Sequence, residues 1–259
     1  MSVILEVEHL SKHFGALAAV DDLSFSVSRG ETFGIAGPNG AGKTALFDVI
    51  TGQSRATAGV IRFEGQEIQK LSANAICQLG IARTFQIAAI LPSQTVLGTI
   101  LAGLHFGRSR HWFARLEFSP DEVAQAQELA ERLELGDELG TQTNLLSVYE
   151  RKRLMIAAAL ATSPRVLMLD EVVAGLTETE GWQLLEHVEK VKSTGVAIVL
   201  VEHVMSVLMR VSDRVMIMHQ GSRIFEGSPG DAVADPEVIR LYLGSSGVAA
   251  GVGPGGAHA

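Results

Sequence analysis

Cysteine is almost missing from this chain: among 259 residues there is only Cys77. A single thiol closes no internal disulfide and suits a reducing compartment. Aromatic residues make up only 5%, so any core must be largely aliphatic. No apolar run approaches the ~20 residues of a membrane-spanning helix, and Val196 to Val201 is a buried strand at most. No basic-then-apolar leader opens the chain. Positive charge is in deficit, with 21 Lys and Arg against 29 Asp and Glu and a net charge of -8. That balance argues against nucleic acid as a general partner. The expected location is the cytosol, or the cytoplasmic face of a membrane through a bound partner.

Aliphatic material is present in quantity. Hydrophobic residues reach 47%, and the length suffices for one large α/β domain with an inserted subdomain. The chain is organised around Gly37-Pro38-Asn39-Gly40-Ala41-Gly42-Lys43-Thr44. Every fixed position fits the G-x-x-x-x-G-K-[ST] phosphate loop. A strand-like segment, 31–36, precedes it, and a helix-like segment from Ala45 to Thr51, closed by Gly52, follows. Glycines let the backbone turn its N–H groups towards phosphate oxygens. The helix start adds orphan donors and partial positive charge. Lys43 supplies a point charge for β- and γ-phosphates, and Thr44 offers a hydroxyl to Mg²⁺.

Further along, alternation at Val3, Leu5 and Val7 and again over 23–27 reads as half-buried strands. Between them Phe14 is either a core aromatic or a flat surface for a nucleotide base. Residues 58–63 form a strand turned by Glu64-Gly65, 72–79 a short helix, and 81–86 a strand ending in Gln86. The Gln86 amide can reach a metal ion or an attacking water, or is an ordinary polar strand end. Residues 87–147 read as a mostly helical insertion. Its clearest helix spans Asp121 to Leu135, opened by Ser119-Pro120 and stopped by Gly136. Arg108, Arg110, His111, Trp112 and Arg115 form a basic cluster, read as a solvated loop or docking surface.

Ser147-Val148-Tyr149-Glu150 is a capping box ahead of a helix to about Ala161. The apolar run 166–169 ends in Asp170-Glu171, two carboxylates at the carboxyl end of a buried parallel strand, where α/β sheets place ligands. Asp170 would face the metal and Glu171 would polarise the attacking water. A helix over 177–192 and a strand over 196–201 lead to Glu202-His203. His203 is either a γ-phosphate hydrogen-bonding group or a satisfied polar residue. Residues 215–218 and 223–225, joined through Gln220-Gly221, read as a hairpin. A helix with Pro236 in its first turn ends near Leu243, and the Gly/Ala-rich residues 245–259 read as disordered.

The loop, Gln86, the 146–150 segment, Leu169-Asp170-Glu171 and His203 occur in the order and spacing of ABC-transporter ATPase subunits, which the chain resembles over about residues 4 to 244. Within them it looks most like the ATPases of branched-chain amino-acid importers. The segments 80–86, Asn144-Leu145, Ala174-Gly175-Leu176, Val201-Glu202-His203 and Pro236 to Gly244 carry that likeness; ATPases of urea or short-amide importers are similar. The resemblance implies a P-loop NTPase core with an antiparallel β subdomain and an inserted helical subdomain, together spanning 3–244. It implies ATP and Mg²⁺ as ligands, with Phe14 and residues 37–44 binding nucleotide and Thr44, Gln86 and Asp170 near the metal. Glu171, His203 and Gln86 would take the catalytic roles. Partners would be a second ATPase subunit, permease subunits in the membrane and, indirectly, an extracytoplasmic binding protein. Each nucleotide would lie between one subunit's phosphate loop and the other's signature helix.

Two departures stand out. Leu146-Ser147-Val148-Tyr149-Glu150-Arg151 replaces Leu-Ser-Gly-Gly-Gln or Leu-Ser/Ala-Tyr-Gly-Glu/Asp-Gln, so Tyr149 occupies the place of the glycine whose backbone approaches the partner's γ-phosphate. Either this weakens the partner's site, giving unequal sites in a heterodimer, or the Tyr149 side chain swings aside and nothing is lost. A clamp with little turnover is the corresponding alternative function. The second departure is Val172, where a proline commonly follows the glutamate; it alters a turn and removes no reactive group. A soluble ABC ATPase of DNA repair or translation would carry long coiled-coil insertions or two fused halves, and this chain has neither.

Overall fold

The computed structural model describes residues 2–84, 92–108 and 118–243. The chain opens with two long antiparallel strands, β1 (Val3–Phe14) and β2 (Leu17–Ser28). Sequence alternation marks only parts of them. Register shifts between Val7 and Leu10 and between Leu10 and Lys12 let the pairing continue while the inside-outside pattern slips. β4 (Ala58–Phe63) and β5 (Gln66–Glu67) complete a four-stranded sheet in the order β2-β1-β4-β5. Glu64 and Gly65 join the last two with φ of 50° and 80°, the double positive values that a two-residue hairpin turn requires.

A second sheet has six strands in the order β10-β9-β3-β8-β7-β6. They are β10 (Ser222–Gly227), β9 (Arg214–His219), β3 (Thr32–Ala36), β8 (Ala197–Val201), β7 (Val166–Asp170) and β6 (Ile81–Arg83). The last five run parallel, and β10 folds back on β9 through Gln220-Gly221. Every residue of β3, β7 and β8 is buried, which is why these strands read as unbroken apolar runs. Successive side chains serve different cores. Phe33, Ile35, Met168 and Val199 face α1 (Lys43–Ile50) and the antiparallel sheet, whereas Leu167, Leu169, Ile198 and Leu200 face the remaining helices.

Those helices are α3 (Val96–Arg108), α4 (Pro120–Arg132), α5 (Val148–Ala161), α6 (Glu178–Lys192), α7 (Met205–Val211), α8 (Pro229–Ala234) and α9 (Pro236–Leu243); α2 (Ala73–Leu79) precedes β6. The sequence reading did not resolve α3, α7 or α8 as separate helices. α4 stops earlier than expected: its C-cap is Leu133, and the left-handed residue is Glu134, with φ 55°, not Gly136. The cap is a Schellman-type turn, with Leu135 N–H on Ala130 O at 2.8 Å and Glu134 N–H on Glu131 O at 2.9 Å. Arg153 of α5 donates to the carbonyls of Leu133 and Glu134 at 3.1 and 2.7 Å, satisfying acceptors that a further helical turn would otherwise have taken.

Ser119, Ser147 and Thr177 start α4, α5 and α6 with complete capping boxes, each closed by the glutamate three residues on. Ser72 and Ser228 cap α2 and α8. α1 begins instead at Gly42 with no side-chain cap, so its first-turn amides stay available to an outside acceptor.

Candidate active site

β3, β8 and β7 lie side by side and end together: Ile35 pairs with Val201, and Val201 with Asp170. Their carboxyl ends deliver, in that spatial order, the 37–44 loop, Glu202-His203 and Asp170-Glu171. A parallel sheet presents the start of the following helix and the strand-end side chains on one edge, where ligands bind. Residues far apart in sequence are thereby brought to one place.

The loop is shaped for a large anion. Gly37, Gly40 and Gly42 have φ of 152°, 81° and 101°. A Cβ on Gly42 would overlap the carbonyl oxygen of Ala19 in β2, and one on Gly37 that of Met218 in β9. The loop therefore lies against backbone at Gly37 and Gly42, with no room for a side chain at either. Asn39, Gly40 and Thr44 are exposed, Pro38 is half-buried and Ala41 is buried. Lys43 is only 6% exposed. Its Nζ donates to the carbonyls of Gly37 at 2.6 Å and Pro38 at 3.1 Å. Burial lowers the Lys43 pKa, and the nearby Glu171 and Asp170 oppose that shift. A buried lysine, uncapped helix amides and exposed glycine backbone form a donor set without built-in counter-anions in contact, which fits a triphosphate.

Asp170 is buried and is held by Arg83, whose guanidinium bridges Asp170 Oδ2 at 2.7 Å and Asp48 Oδ1 at 2.6 Å. Arg83 thus ties β7 to α1, the helix that carries Lys43 and Thr44. Sequence reasoning missed it; a cation in an otherwise apolar strand, β6, was the available signal. The Asp170 N–H donates to Thr84 Oγ1 at 3.4 Å. Among the described residues no three His, Cys, Asp or Glu cluster as a metal cage. The hydroxyl of Thr44 and the carboxylate of Asp170 are the oxygen ligands on offer. That sparse set suits Mg²⁺, which takes one or two protein ligands beside phosphate and water.

Glu171 has φ 48°, costing a non-glycine residue about 1–2 kcal/mol. Its N–H donates to Val201 O at 2.9 Å, and its carbonyl accepts from Lys152 Nζ at 2.9 Å. Val172 packs into the helical-side core at 3% exposure. Glu202 is completely buried; Oε1 accepts from the Val173 N–H at 3.1 Å, while Oε2 has no hydrogen-bond partner of normal geometry among the described residues. Burial, reinforced by Glu171, pushes its pKa up to about 7 against the opposing hydrogen bond from Val173. Lys152 and Glu202 were not singled out from the sequence. His203 is exposed at the end of β8. Gln86, the basic residues 110–115, the Arg108 side chain and the 245–259 tail lie outside what the structure describes.

Phe14 is 53% exposed, with Lys12 Nζ 4.6 Å from its ring centroid. The core-aromatic alternative is therefore wrong: the ring sits at the end of β1 on the hairpin whose second strand touches Gly42. In the signature segment Leu146 is buried, and the Ser147 hydroxyl accepts from Glu150 N at 3.2 Å. Glu150 Oε2 accepts from Ser147 N at 2.7 Å. The Tyr149 ring lies 4.5 Å from the Arg153 guanidinium and packs on the helical core. Within its own subunit the Tyr149 side chain thus points along α5 towards Arg153. Val148, at 39% exposure, is the side chain left at the helix start.

Comparison with known proteins agrees with this arrangement. A family model described as "ABC transporter" matches residues 20–174. The chain is 34% identical over 251 residues to the high-affinity branched-chain amino acid transport ATP-binding protein BraF of Pseudomonas aeruginosa, covering 94% of this chain and 98% of that protein. It is 33% identical to LivG of Escherichia coli K12, described in the same words, with the same coverage. A solved ATP-binding cassette of an ABC transporter in its ADP conformation superposes with a TM-score of 0.86 at 30% identity, covering 94% of this chain and all of that one. A nucleotide-free cassette gives 0.84, also at 30% identity, with 93% and 98% covered. Among the described residues no helix is long and apolar enough to cross a membrane. A phosphate loop and an acid pair on one edge of a parallel sheet, backed by likeness along almost the whole chain, make this protein a member of the ABC-transporter ATP-binding family, an ATPase subunit that energises transport.

Proposed function

We propose that the chain is one of two ATPase subunits of an importer for branched-chain amino acids, held peripherally on the cytoplasmic face of the membrane by permease subunits. The observation that carries the chemistry is the meeting of the 37–44 loop and Asp170-Glu171 on one sheet edge. The cargo reading is supported by likeness to BraF and LivG across nearly their full length. The helical insertion, 87–147, is the part offered to the permease, and 3–244 forms the ATPase domain.

In this reading the loop amides and Lys43 grip the β- and γ-phosphates, and Phe14 stacks on the base. Thr44 and Asp170, with Gln86, would hold Mg²⁺, which would supply positive charge against the phosphate oxygens. Arg83 fixes the Asp170 carboxylate before nucleotide arrives. Glu171 accepts the proton of the attacking water as the bond to the γ-phosphorus forms, and ADP departs as the bridging P–O bond breaks. His203 donates to the γ-phosphate. Removing the lysine tests the whole scheme. Lys43→Ala in the assembled complex with Mg²⁺ is expected to lose ATP retention in equilibrium dialysis; retention equal to the parent would overturn the reading.

The signature segment faces the nucleotide of a second, different ATPase subunit in a heterodimer. With the Tyr149 ring turned onto Arg153, any loss at that site comes from the Cβ of Tyr149 and the side chain of Val148, which hold the backbone away from phosphate. A charge-assisted hydrogen bond is worth about 1.5–3 kcal/mol. Tyr149→Gly is therefore expected to raise single-turnover hydrolysis about tenfold at the site this signature serves. Unchanged rate and ATP affinity at both sites would show the approach to be intact. The same observation favours a second reading, an ATP-dependent clamp with slow turnover, which steady-state assay of the complete transporter would reveal.

A further inference from the structure

The turn after β7 is held from two directions. On one side stands β8: its last residue accepts the Glu171 N–H, and Glu202, just beyond it, accepts the Val173 N–H. On the other stands α5. Lys152, one turn into that helix, is 8% exposed and directs its ammonium at the Glu171 carbonyl oxygen, 2.9 Å away. A buried ammonium loses hydration and needs a strong acceptor in its place. The carbonyl of Glu171 is the acceptor here, within the field of the Glu202, Glu171 and Asp170 carboxylates.

α5 is the helix whose first turn is the signature segment. Its following turns are fixed, with Leu154, Ile156 and Ala157 buried in the helical-side core. Val148 at its start also lies beside the same turn, 3.9 Å from the Cβ position of Gly175. In the proposed dimer one element would thus present its start to a partner's nucleotide while, a single turn later, it grips the backbone of the residue read as general base in its own subunit's site. The left-handed φ of Glu171 makes that grip consequential, because a residue in a strained conformation stays there only while its neighbours hold it.

We infer that Lys152 is a positioning residue for Glu171: through its hydrogen bond to the Glu171 carbonyl it sets the general base according to the seating of α5, and so links the two ATP sites of the dimer. The inference rests on the proposed roles of Glu171 and the signature segment. Glu202 supports the far side of the turn, so that movement of Lys152 reorients Glu171 instead of displacing the whole segment.

The test uses the complete transporter complex with Mg²⁺ and ATP. Lys152→Met should lower kcat at least tenfold, move KM for ATP less than twofold and bring the Hill coefficient for ATP to 1, from a parent value above 1. Lys152→Arg, which keeps a charged donor, should restore most of kcat and the cooperativity. Should Lys152→Met fail to fold, Lys152→Gln serves in its place with the same expectation. A parental kcat and Hill coefficient in the variant, or an arginine variant as slow as the methionine one, would overturn the inference. Glu171→Gln, assayed alongside, separates the two levels. If it turns over normally, the reading of Glu171 as general base fails; if it is inactive while Lys152→Met is normal, only the role of Lys152 fails.

Discussion

Glu171→Gln leaves the complex able to bind ATP but lowers its turnover about 10²–10⁴-fold, the range for loss of a positioned general base. The amide matches the carboxylate in size, and the backbone contacts that place residue 171, with Val201 and Lys152, are made by main-chain atoms that the substitution keeps. What disappears is the carboxylate oxygen proposed above to take the proton of the attacking water. Binding survives because the loop and Lys43 sit at the end of β3, two strands away from β7 in the sheet. The measurement is single-turnover phosphate release beside nucleotide binding by filtration. Parental release would assign the proton transfer to another group, and loss of binding would show that Glu171 shapes the loop.

Gly42→Ala abolishes ATP retention, whereas Gly40→Ala reduces it only modestly. Both glycines have left-handed φ, 101° and 81°, so both substitutions carry a conformational cost of about 1–2 kcal/mol. Only at Gly42 does the added carbon also meet backbone, the carbonyl of Ala19, which cannot rotate out of the way. Either β2 or the loop must shift, and Gly42 is the residue that starts α1 and orients its amides. Nothing lies within 4 Å of a Cβ at Gly40. Equal ATP affinities for the two variants, measured by titration calorimetry, would show that strain, and not the close approach of β2, limits the loop.

The contrast between these glycines marks the boundary between what was legible in the chain and what was not. The phosphate loop was readable because its function requires consecutive residues of fixed type, and strand, loop and helix follow one another without a break. The capping box at Ser147 and the hairpin turn at Gln220-Gly221 were readable for the same reason, since each is closed by atoms a few residues apart. The apolar runs of β7 and β8 announced burial on both faces. The exact stop of α4 was not readable, because the left-handed cap residue is Glu134, which carries no glycine or asparagine signal, and Arg153, some twenty residues on, takes the carbonyls at the cap.

By itself, then, the order of residues determined a nucleotide-binding α/β protein, its phosphate-gripping bend, its acid pair and its unusual signature, since each is written in local spacing or periodic hydrophobicity. Tertiary structure alone decided that Arg83 joins Asp48 to Asp170, that Lys152 reaches the Glu171 carbonyl, that Glu202 is buried behind that turn and that Phe14 is exposed. The physical reason is that such contacts join groups about twenty to ninety residues apart, and a long-range pair leaves no period or motif in the chain; only the packing of strands and helices sets which groups meet.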